Sequence, residues 1–448
     1  MNSPLERKLT LFPVTNIVIA NMIGAGIFTT SGLLMSDLQN PMIMLLLWLV
    51  GGLIALCGAF SYGELGAAFP QAGGEYAFLS QLYHPMLGFL SGWVSLIAGF
   101  SAPIAASAIG FSEYLFRTFP ELSINTRSSI VLNEMWIKRF ISVGVIVLFT
   151  GVHLRGIKFG TRVQNILTIL KILLVAGLIL IGFTVGKGNW SHLSEGVEFS
   201  SNFSSWKTIG LSLMWIMFAY SGWNAATYIG SEIKAPKKNL PLSLLWGTGI
   251  VIILYFLLNL FYIYAVDAES MKGVISIGGL AGGRAFGQVL ESAISIIIAF
   301  ALFSSLSAFL ILGPRIYYAM ARDGVFFNGL SQVSSKYRVP AKAIMLQGVI
   351  ACIMVITGSF DQILTYMGFS LGIFPILAVL GVFKMRKNKL TVLKLPGFPV
   401  TSLFYLFSGL TILTLAYFER PLESSLAILT VLVGVPFYFL FKHKKNKI

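Results

Sequence analysis

The stretch TNIVIANMIGAGIFTTSGLL, residues 15–34, decides the fold. It is long and apolar enough to cross a bilayer, which takes about 20 apolar residues, yet its middle reads Gly24-Ala25-Gly26. Glycine costs roughly 1 kcal/mol relative to alanine inside a helix, so this sequence favours a break in the helix at mid-depth. Lipid cannot satisfy the amide and carbonyl groups that such a break exposes, and a break is therefore tolerated only where it lines a cavity.

Two interpretations of these glycines are open at this point. The free amides at the start of a helix attract a carboxylate and the free carbonyls at the end of a helix attract an ammonium, so a cavity ringed by helix ends suits a zwitterion. Alternatively, the small residues only allow two membrane helices to pack closely.

The composition is that of a polytopic membrane protein. Of the 448 residues, 56% are hydrophobic and 11% are charged, and the mean hydropathy is +0.82, whereas charged residues make up about a quarter of a soluble domain. The net charge of +15 does not indicate nucleic-acid binding, because the basic residues lie between apolar segments rather than on one soluble face. We expect no cleavable signal peptide, because the polar start leads directly into a full-length span.

The two cysteines give no sign of a disulfide framework or a metal site. Cys57 and Cys352 both lie inside apolar runs, and no pair of closely spaced cysteines is present in a polar loop. We therefore expect neither a metal nor a cofactor.

Twelve apolar segments are long enough to cross the bilayer. We expect an all-α membrane protein that forms one domain over residues 1–448 and has the lipid bilayer as its surroundings. The predicted spans lie near residues 14–36, 41–69, 84–117, 137–153, 162–186, 207–231, 241–266, 288–320, 341–358, 361–384, 400–418 and 422–441.

The basic residues indicate the orientation. With twelve spans, most of the 32 Lys and Arg residues fall on the side that carries both termini, and positively charged loops remain in the cytoplasm. We therefore expect a multi-pass protein of the cytoplasmic (inner) membrane with both termini in the cytoplasm. The basic clusters lie at residues 7–8, 155–162, 234–238, 315–342, 384–394 and 442–447.

Two loops are unusually apolar. Residues 70–85, PQAGGEYAFLSQLYHP, follow span two on the predicted cytoplasmic side, and residues 274–288, VISIGGLAGGRAFGQ, precede span eight on the outer side. Each predicts a short interfacial or re-entrant helix. Each is either a gate that moves over a vestibule or a static plug.

Span six carries a second interruption. Its centre reads FAYSGWN, residues 218–224, and places Ser221, Gly222 and Asn224 at a depth where apolar residues are favoured. Spans one and six lie five spans apart, and interrupted helices at corresponding positions of two halves indicate a transporter site between inverted repeats. We expect a first repeat at about 14–186, a second at about 207–384 and two additional helices at about 400–441. The second interruption favours the functional interpretation of the glycines.

A lysine lies deep inside span five. If this span starts near Arg162, Lys171 is about 13 Å along the helix at a rise of 1.5 Å per residue, too deep to reach the interface easily. Its charge therefore requires acceptors inside the helix bundle. The candidates are the carbonyls freed at the first break and the hydroxyls of Ser304 and Ser305 in span eight. Either the fixed ammonium takes the place of a coupling cation, or Lys171 carries protons.

These motifs together resemble the amino acid–polyamine–organocation transporters, in particular the bacterial relatives of the L-type amino-acid transporters. The resemblance is carried by NMIGAGIF in span one, VQNxxTxxK in span five and FAYSGWN in span six, with PQAGGEY, SEIKAPKKNLP and ARDG after spans two, six and eight. It implies a LeuT-type fold of five-plus-five inverted repeats, in which helices one and six are discontinuous. It also implies sodium-independent transport of an amino acid.

The resemblance implies roles for individual residues. Amides around Gly24 to Gly26 hold the substrate carboxylate, and carbonyls in spans one and six, those of Met22, Phe218 and Ser221, receive its ammonium. The ring of Phe218 covers the site, and Asn224 supports the unwound segment. The full expected binding set is Met22, Ile23, Gly24, Ala25, Gly26, Phe218, Ala219, Ser221, Gly222 and Asn224.

Lys171 is similar to the family's lysine in span five. That lysine bridges spans one and eight where sodium-coupled relatives bind an ion, and Ser305 is its expected partner in span eight, next to Ser304. Two positions depart from the family's pattern. Ser221 replaces a glycine that is frequent in relatives, and the loop between spans three and four lacks the cysteine that links animal members to a glycoprotein. We therefore expect no disulfide-linked heavy chain.

These features predict amino-acid transport by alternating access, through exchange of small or neutral L-amino acids. The alternative is a proton-coupled amino-acid or polyamine importer. A polyamine site favours acidic residues at mid-depth, and the sequence places none beside the breaks. An enzyme would need a nucleophile, base or metal cluster at depth, whereas the histidines are scattered over span ends and loops. A channel would show a filter motif or consist of shorter subunits.

Overall fold

The computed structural model describes the chain apart from residues 1–6, 8, 72, 120, 121, 123–133, 156, 199, 335, 336, 338 and 446–448; at 157–165, 167, 289 and 443–445 it describes the backbone alone. The basic clusters at 7–8, 155–162, 315–342 and 442–447 therefore lie partly outside the described residues.

The described chain is almost entirely helical. Its first helices are α1 (Leu11–Met22), α2 (Ala25–Leu38), α3 (Pro41–Ala68), α4 (Glu75–Leu82), α5 (Pro85–Val94), α6 (Ala102–Thr118), α7 (Glu134–Leu154) and α8 (Ile157–Thr184). The later ones are α9 (Phe203–Ala219), α10 (Pro236–Ala265), α11 (Ala268–Met271), α12 (Ile277–Phe286), α13 (Gln288–Arg322), α14 (Ala341–Thr357), α15 (Phe360–Lys387), α16 (Val400–Glu419) and α17 (Pro421–Lys445). A π-helical segment, Ser95–Ser101, joins α5 to α6.

Nine helical segments of the described chain are long and apolar enough to cross a membrane. They are Leu11–Leu38, Pro41–Ala68, Pro85–Thr118, Glu134–Leu154, Pro236–Ala265, Leu290–Arg322, Phe360–Lys387, Val400–Glu419 and Pro421–Lys442. Thr168–Thr184 and Ala341–Thr357 are apolar but shorter, and α9 of the predicted span six has 17 residues. The expectation of an all-α, multi-pass membrane protein is confirmed, while the number twelve and the repeat arrangement stay predictions.

The first break lies at the start of the Gly-Ala-Gly triplet. α1 ends at Met22, and the backbone of Ile23 (ψ 92°) and Gly24 (φ −130°, ψ −158°) is extended. α2 begins at Ala25, so Gly26 already belongs to its first turn.

Gly26 has a packing role. A Cβ atom at this position would lie 2.4 Å from the Cα of Ala219, the last residue of α9. The amino end of α2 and the carboxyl end of α9 are therefore in direct contact. The two interpretations of the glycines thus apply to different residues. Gly24 lies in the helix break, whereas Gly26 allows close packing of α2 against α9.

The second break follows α9. The chain turns through residues 220–224 before a 3₁₀ segment, Ala225–Glu232. Gly222 adopts φ +99°, and a Cβ atom there would lie 2.9 Å from the backbone carbonyl carbon of Asn21 in α1. Glycine is required because a side chain would meet both an unfavourable backbone conformation and the neighbouring helix. Both interruptions that the sequence predicts are present.

Each apolar loop contains a short helix, α4 in residues 70–85 and α12 in residues 274–288. On the predicted outer side, the hydroxyl of Tyr114 donates to the carbonyl of Phe28 (2.5 Å) and accepts from the amide of Gly278 in α12 (3.0 Å). α12 is therefore held against α2, the second half of span one.

We expect Gly26→Ala to lower the thermal unfolding temperature, because the added methyl group overlaps Ala219 and overpacking typically costs about 1–3 kcal/mol. Thermal unfolding of the purified protein measures the change. Gly144→Ala in α7 is the matched control, since apart from the adjoining backbone of α7 no described atom lies within 4 Å of a Cβ atom there and alanine is favoured over glycine in a helix. Equal unfolding temperatures of the two variants would contradict the packing role of Gly26.

Candidate functional site

A cavity of about 130 Å³ lies beside the second break. Span one contributes Asn21 to its lining, and the π-helical segment contributes Ser95 and Phe100. Further lining residues come from α3, α4, α5, α9, α13, α15 and α16. The lining is mostly apolar with a few polar side chains, as in sites that bind small molecules.

The cavity includes part of the predicted binding set. Phe218, Ser221, Gly222 and Asn224 line it. The other members are not part of its lining and are buried where the two breaks meet; they are Met22, Ile23, Gly24, Ala25, Gly26 and Ala219. The contact between Gly26 and Ala219 explains their burial, because it closes α2 against α9.

Tyr255, a residue outside the predicted binding set, joins the two breaks. The hydroxyl of Tyr255 in α10 lies 2.5 Å from the carbonyl oxygen of Met22 and 3.1 Å from that of Ala219, and donates to both. Its ring packs against Trp48 and Tyr220, with centroids 5.5 Å and 5.0 Å away. The only sequence signal is a hydroxyl at mid-depth of an apolar span.

Two of the three carbonyls expected to receive an ammonium already accept an internal hydrogen bond. The carbonyl of Met22 accepts from Tyr255, and that of Phe218 accepts from the amide of Ser221 at 2.8 Å. A carbonyl oxygen has two lone pairs, so each retains a second acceptor position. Both carbonyls are therefore chemically able to accept from a further donor.

The two breaks bring opposite helix ends together. Because α2 begins at Ala25, its first amides have no partner within the helix, and they carry the positive end of its dipole. The carboxyl end of α9, at Ala219, carries the negative end of another dipole. This pair of ends suits a small molecule with one anionic and one cationic group.

Lys171 lies at the first break and is fully buried. Its Nζ atom donates to the carbonyl of Ala20 at 2.8 Å. In a continuous helix this carbonyl would accept from the amide of Gly24, which lies beyond the end of α1. The Nζ atom of Lys171 therefore replaces a backbone hydrogen bond that the break removes, as expected for a freed carbonyl.

The serines of span eight lie at the same place. The hydroxyl of Ser305 donates to the carbonyl of Ile23 at 3.5 Å, and Ser304 lies 3.2 Å from the hydroxyl of Thr168 in α8. The expected bond between Lys171 and Ser305 is not among the described contacts, because both donors are directed at separate carbonyls of span one. Spans one, five and eight nevertheless meet here.

An acidic side chain lies beside the second break. Asn224 donates to the carboxylate of Glu75 at 2.5 Å. The expectation that no acid lies near the breaks is wrong, because it considers only residues within the spans. The loop PQAGGEY folds back against span six and brings Glu75 with it.

The described residues hold no group of three or more His, Cys, Asp or Glu side chains that could bind a metal ion. Cys57 and Cys352 are free thiols.

We expect Tyr255→Phe to lower the free energy of unfolding by about 1–3 kcal/mol, because two buried carbonyls lose their shared donor. Tyr262→Phe on the same helix is the control, since the Tyr262 hydroxyl has no hydrogen-bond partner among the described residues and its removal should cost little. Denaturant or thermal unfolding measures both variants. If both variants lost the same free energy of unfolding, the Tyr255 hydroxyl would contribute no more to stability than the unpaired Tyr262 hydroxyl.

Comparison with known proteins gives a consistent result. The amino acid permease family model matches residues 9–436. The human b(0,+)-type amino acid transporter 1 is 29% identical over 456 aligned residues, which cover 98% of this chain and 89% of the relative. The human cystine/glutamate transporter is 27% identical, and the alignment covers 98% of this chain and 85% of the relative. The human large neutral amino acids transporter small subunit 2 is 26% identical, and the alignment covers 99% of this chain and 82% of the relative.

The family and these relatives are transporters and not enzymes. The resemblance noted in the sequence motifs is thereby confirmed. Because the family model extends over nearly the whole described chain, this protein belongs to the amino acid permease family, within the amino acid–polyamine–organocation superfamily.

Proposed function

We propose that this protein carries amino acids across the cytoplasmic membrane by alternating access, with the substrate bound between the two helix breaks. The observation that carries the proposal is the contact of the α2 start with the α9 end, at Gly26 and Ala219, beside a cavity. A helix start favours a carboxylate and a helix end favours an ammonium. The relatives that are named amino acid transporters support the same substrate class.

In the proposed bound state, the amides of Gly24, Ala25 and Gly26 hold the carboxylate. The ammonium is received by the carbonyls of Met22, Phe218 and Ser221, and Ile23, Ala219, Gly222 and Asn224 shape the site. Because the span-one residues are buried here, the α2 start and the α9 end must separate when the substrate enters. The mostly apolar lining favours small or neutral side chains.

We further propose exchange without sodium. The ammonium of Lys171 already bonds to the Ala20 carbonyl at the first break, so the protein itself supplies a positive charge at this position. A coupling cation would compete for the same oxygen. Ser304 and Ser305 of span eight complete this part of the site.

The arrangement in the membrane is also a proposal. It consists of twelve spans, five-plus-five inverted repeats and both termini in the cytoplasm, supported by the two breaks and by the basic loops. We propose no disulfide-linked partner, since the sequence between spans three and four contains no cysteine.

A proton-coupled importer is the second candidate function. The observation that favours it is Glu75, a buried ionisable group that lies 2.5 Å from Asn224 at the second break. A proton-coupled mechanism needs an acidic side chain at the substrate site, and Glu75 is an acid that lines the cavity.

Transport by purified protein in proteoliposomes distinguishes these functions. We expect uptake of radiolabelled L-alanine or L-leucine in sodium-free buffer only when the vesicles contain an amino acid, with no response to a proton gradient. Uptake into empty vesicles that a proton gradient drives would select the importer. Failure to take up any of the proteinogenic L-amino acids would contradict amino-acid transport itself.

We expect Lys171→Met to reduce turnover at least about tenfold, equivalent to 1.4 kcal/mol in the activation free energy, because the Ala20 carbonyl loses its charged donor while the side-chain volume is kept. Turnover is measured as the exchange rate at saturating substrate, beside the unfolding temperature. Lys207→Ala, which removes a partly exposed ion pair with Glu419, is the control and should change little. Wild-type turnover in Lys171→Met would remove the lysine from the mechanism.

A further inference from the structure

Glu75 is a buried acid to which the proposed transport mechanism assigns no fixed role. It is the first residue of α4, it is 5% exposed and it lines the cavity. Other acids near span ends have cationic partners, since Glu64 pairs with Arg386 and Glu291 pairs with Arg117. Among the described side chains, none with a positive charge lies within ion-pair distance of Glu75.

Three neutral donors hold the carboxylate instead. Its Oε1 atom accepts from the hydroxyl of Tyr62 (2.9 Å) and from the amide group of Asn224 (2.5 Å), and Oε2 accepts from the hydroxyl of Tyr228 (2.6 Å). Hydrogen bonds to an ionised group are roughly twice as strong as those between neutral groups, and the positive end of the α4 dipole adds to them. The carboxylate thus ties α4 to α3 and to span six.

Asn224 is the donor that belongs to the second break. It precedes the 3₁₀ segment Ala225–Glu232, and its carbonyl accepts from the amide (3.0 Å) and the hydroxyl (2.7 Å) of Thr227. Two residues earlier, Gly222 contacts Asn21 of α1. The conformation of this turn, which lines the cavity, is therefore fixed on one side by α1 and on the other by Glu75.

The neighbouring residue anchors α4 elsewhere. The hydroxyl of Tyr76 donates to the carboxylate of Asp323 at the end of α13, at 2.6 Å. Burial and this hydrogen bond raise the pKa of the Tyr76 phenol far above its usual value, so the group remains a donor even at alkaline pH. Two adjacent side chains of α4 thus bind different elements: Glu75 binds the second break and Tyr76 binds the end of span eight.

We infer that Glu75 is a positioning residue of the transport site: through Asn224 it sets the conformation of the second break and couples that break to α4. Any movement of α4 away from span six breaks these hydrogen bonds, so the position of α4 and the conformation of the break change together. The inference rests on the proposed function for its transport readout, whereas its conformational readout is independent of any substrate.

Glu75→Gln tests the inference, because it keeps the size of the side chain and removes its charge. We expect the KM for amino-acid exchange in proteoliposomes to rise about tenfold, the effect of losing one charge-assisted hydrogen bond, with kcat changed less. Hydrogen–deuterium exchange of residues 219–232 in the purified protein should become faster. Tyr76→Phe is the matched control, since it releases α4 from span eight and leaves the break untouched; both quantities should keep their wild-type values.

A double-mutant cycle tests the route through Asn224. The effects of Glu75→Gln and Asn224→Ala on KM should be clearly less than additive, whereas those of Glu75→Gln and Tyr76→Phe should be additive. If Glu75→Gln does not fold, Glu75→Asp takes its place, because it keeps the charge and withdraws the carboxylate from Asn224.

Three results would overturn the inference. In the first, Glu75→Gln leaves both the KM and the hydrogen–deuterium exchange rate of residues 219–232 at wild-type values. In the second, Tyr76→Phe changes these two quantities as much as Glu75→Gln does. In the third, the effects of Glu75→Gln and Asn224→Ala on KM are additive. If the wild-type protein transports no amino acid, the proposed function fails, and the hydrogen-exchange comparison alone then decides whether Glu75 positions the break.

Discussion

Backbone groups that a membrane helix leaves unpaired at mid-depth must find partners inside the protein, and this constraint governs the centre of the molecule. Side chains from three other helices donate hydrogen bonds to the carbonyls at the breaks. They are the Nζ atom of Lys171 on the Ala20 carbonyl, the hydroxyl of Ser305 on the Ile23 carbonyl, and the hydroxyl of Tyr255 on the carbonyls of Met22 and Ala219. The two breaks thus explain why these three polar side chains lie inside apolar spans.

The two breaks form one unit. Gly26 brings the start of α2 against the end of α9, Tyr255 bonds to both breaks, and Gly222 packs against α1. A change at one break therefore reaches the other through direct contacts. In the proposed mechanism, a zwitterion completes the pairing that the side chains leave unfinished, with its two charges between opposite helix ends.

Much of this arrangement can be predicted from the sequence, because the relevant signals are local. Gly24 and Gly222 interrupt apolar runs, and Lys171 stands out as a charge at depth. The rest depends on tertiary contacts. Gly26 resembles Gly24 in sequence, and only the position of Ala219 shows that it serves packing. Glu75 is distant from span six along the chain, so its contact with Asn224 follows from the folding-back of α4.

The central claim is that the paired breaks hold both charges of one small molecule. A cryo-electron microscopy structure of the protein with a transported amino acid bound tests it most directly. The account predicts the carboxylate within hydrogen-bond distance of the amides at 24–26 and the ammonium against the carbonyls at the end of α9. An amino acid bound away from both breaks, or one whose charges contact only side chains, would contradict it.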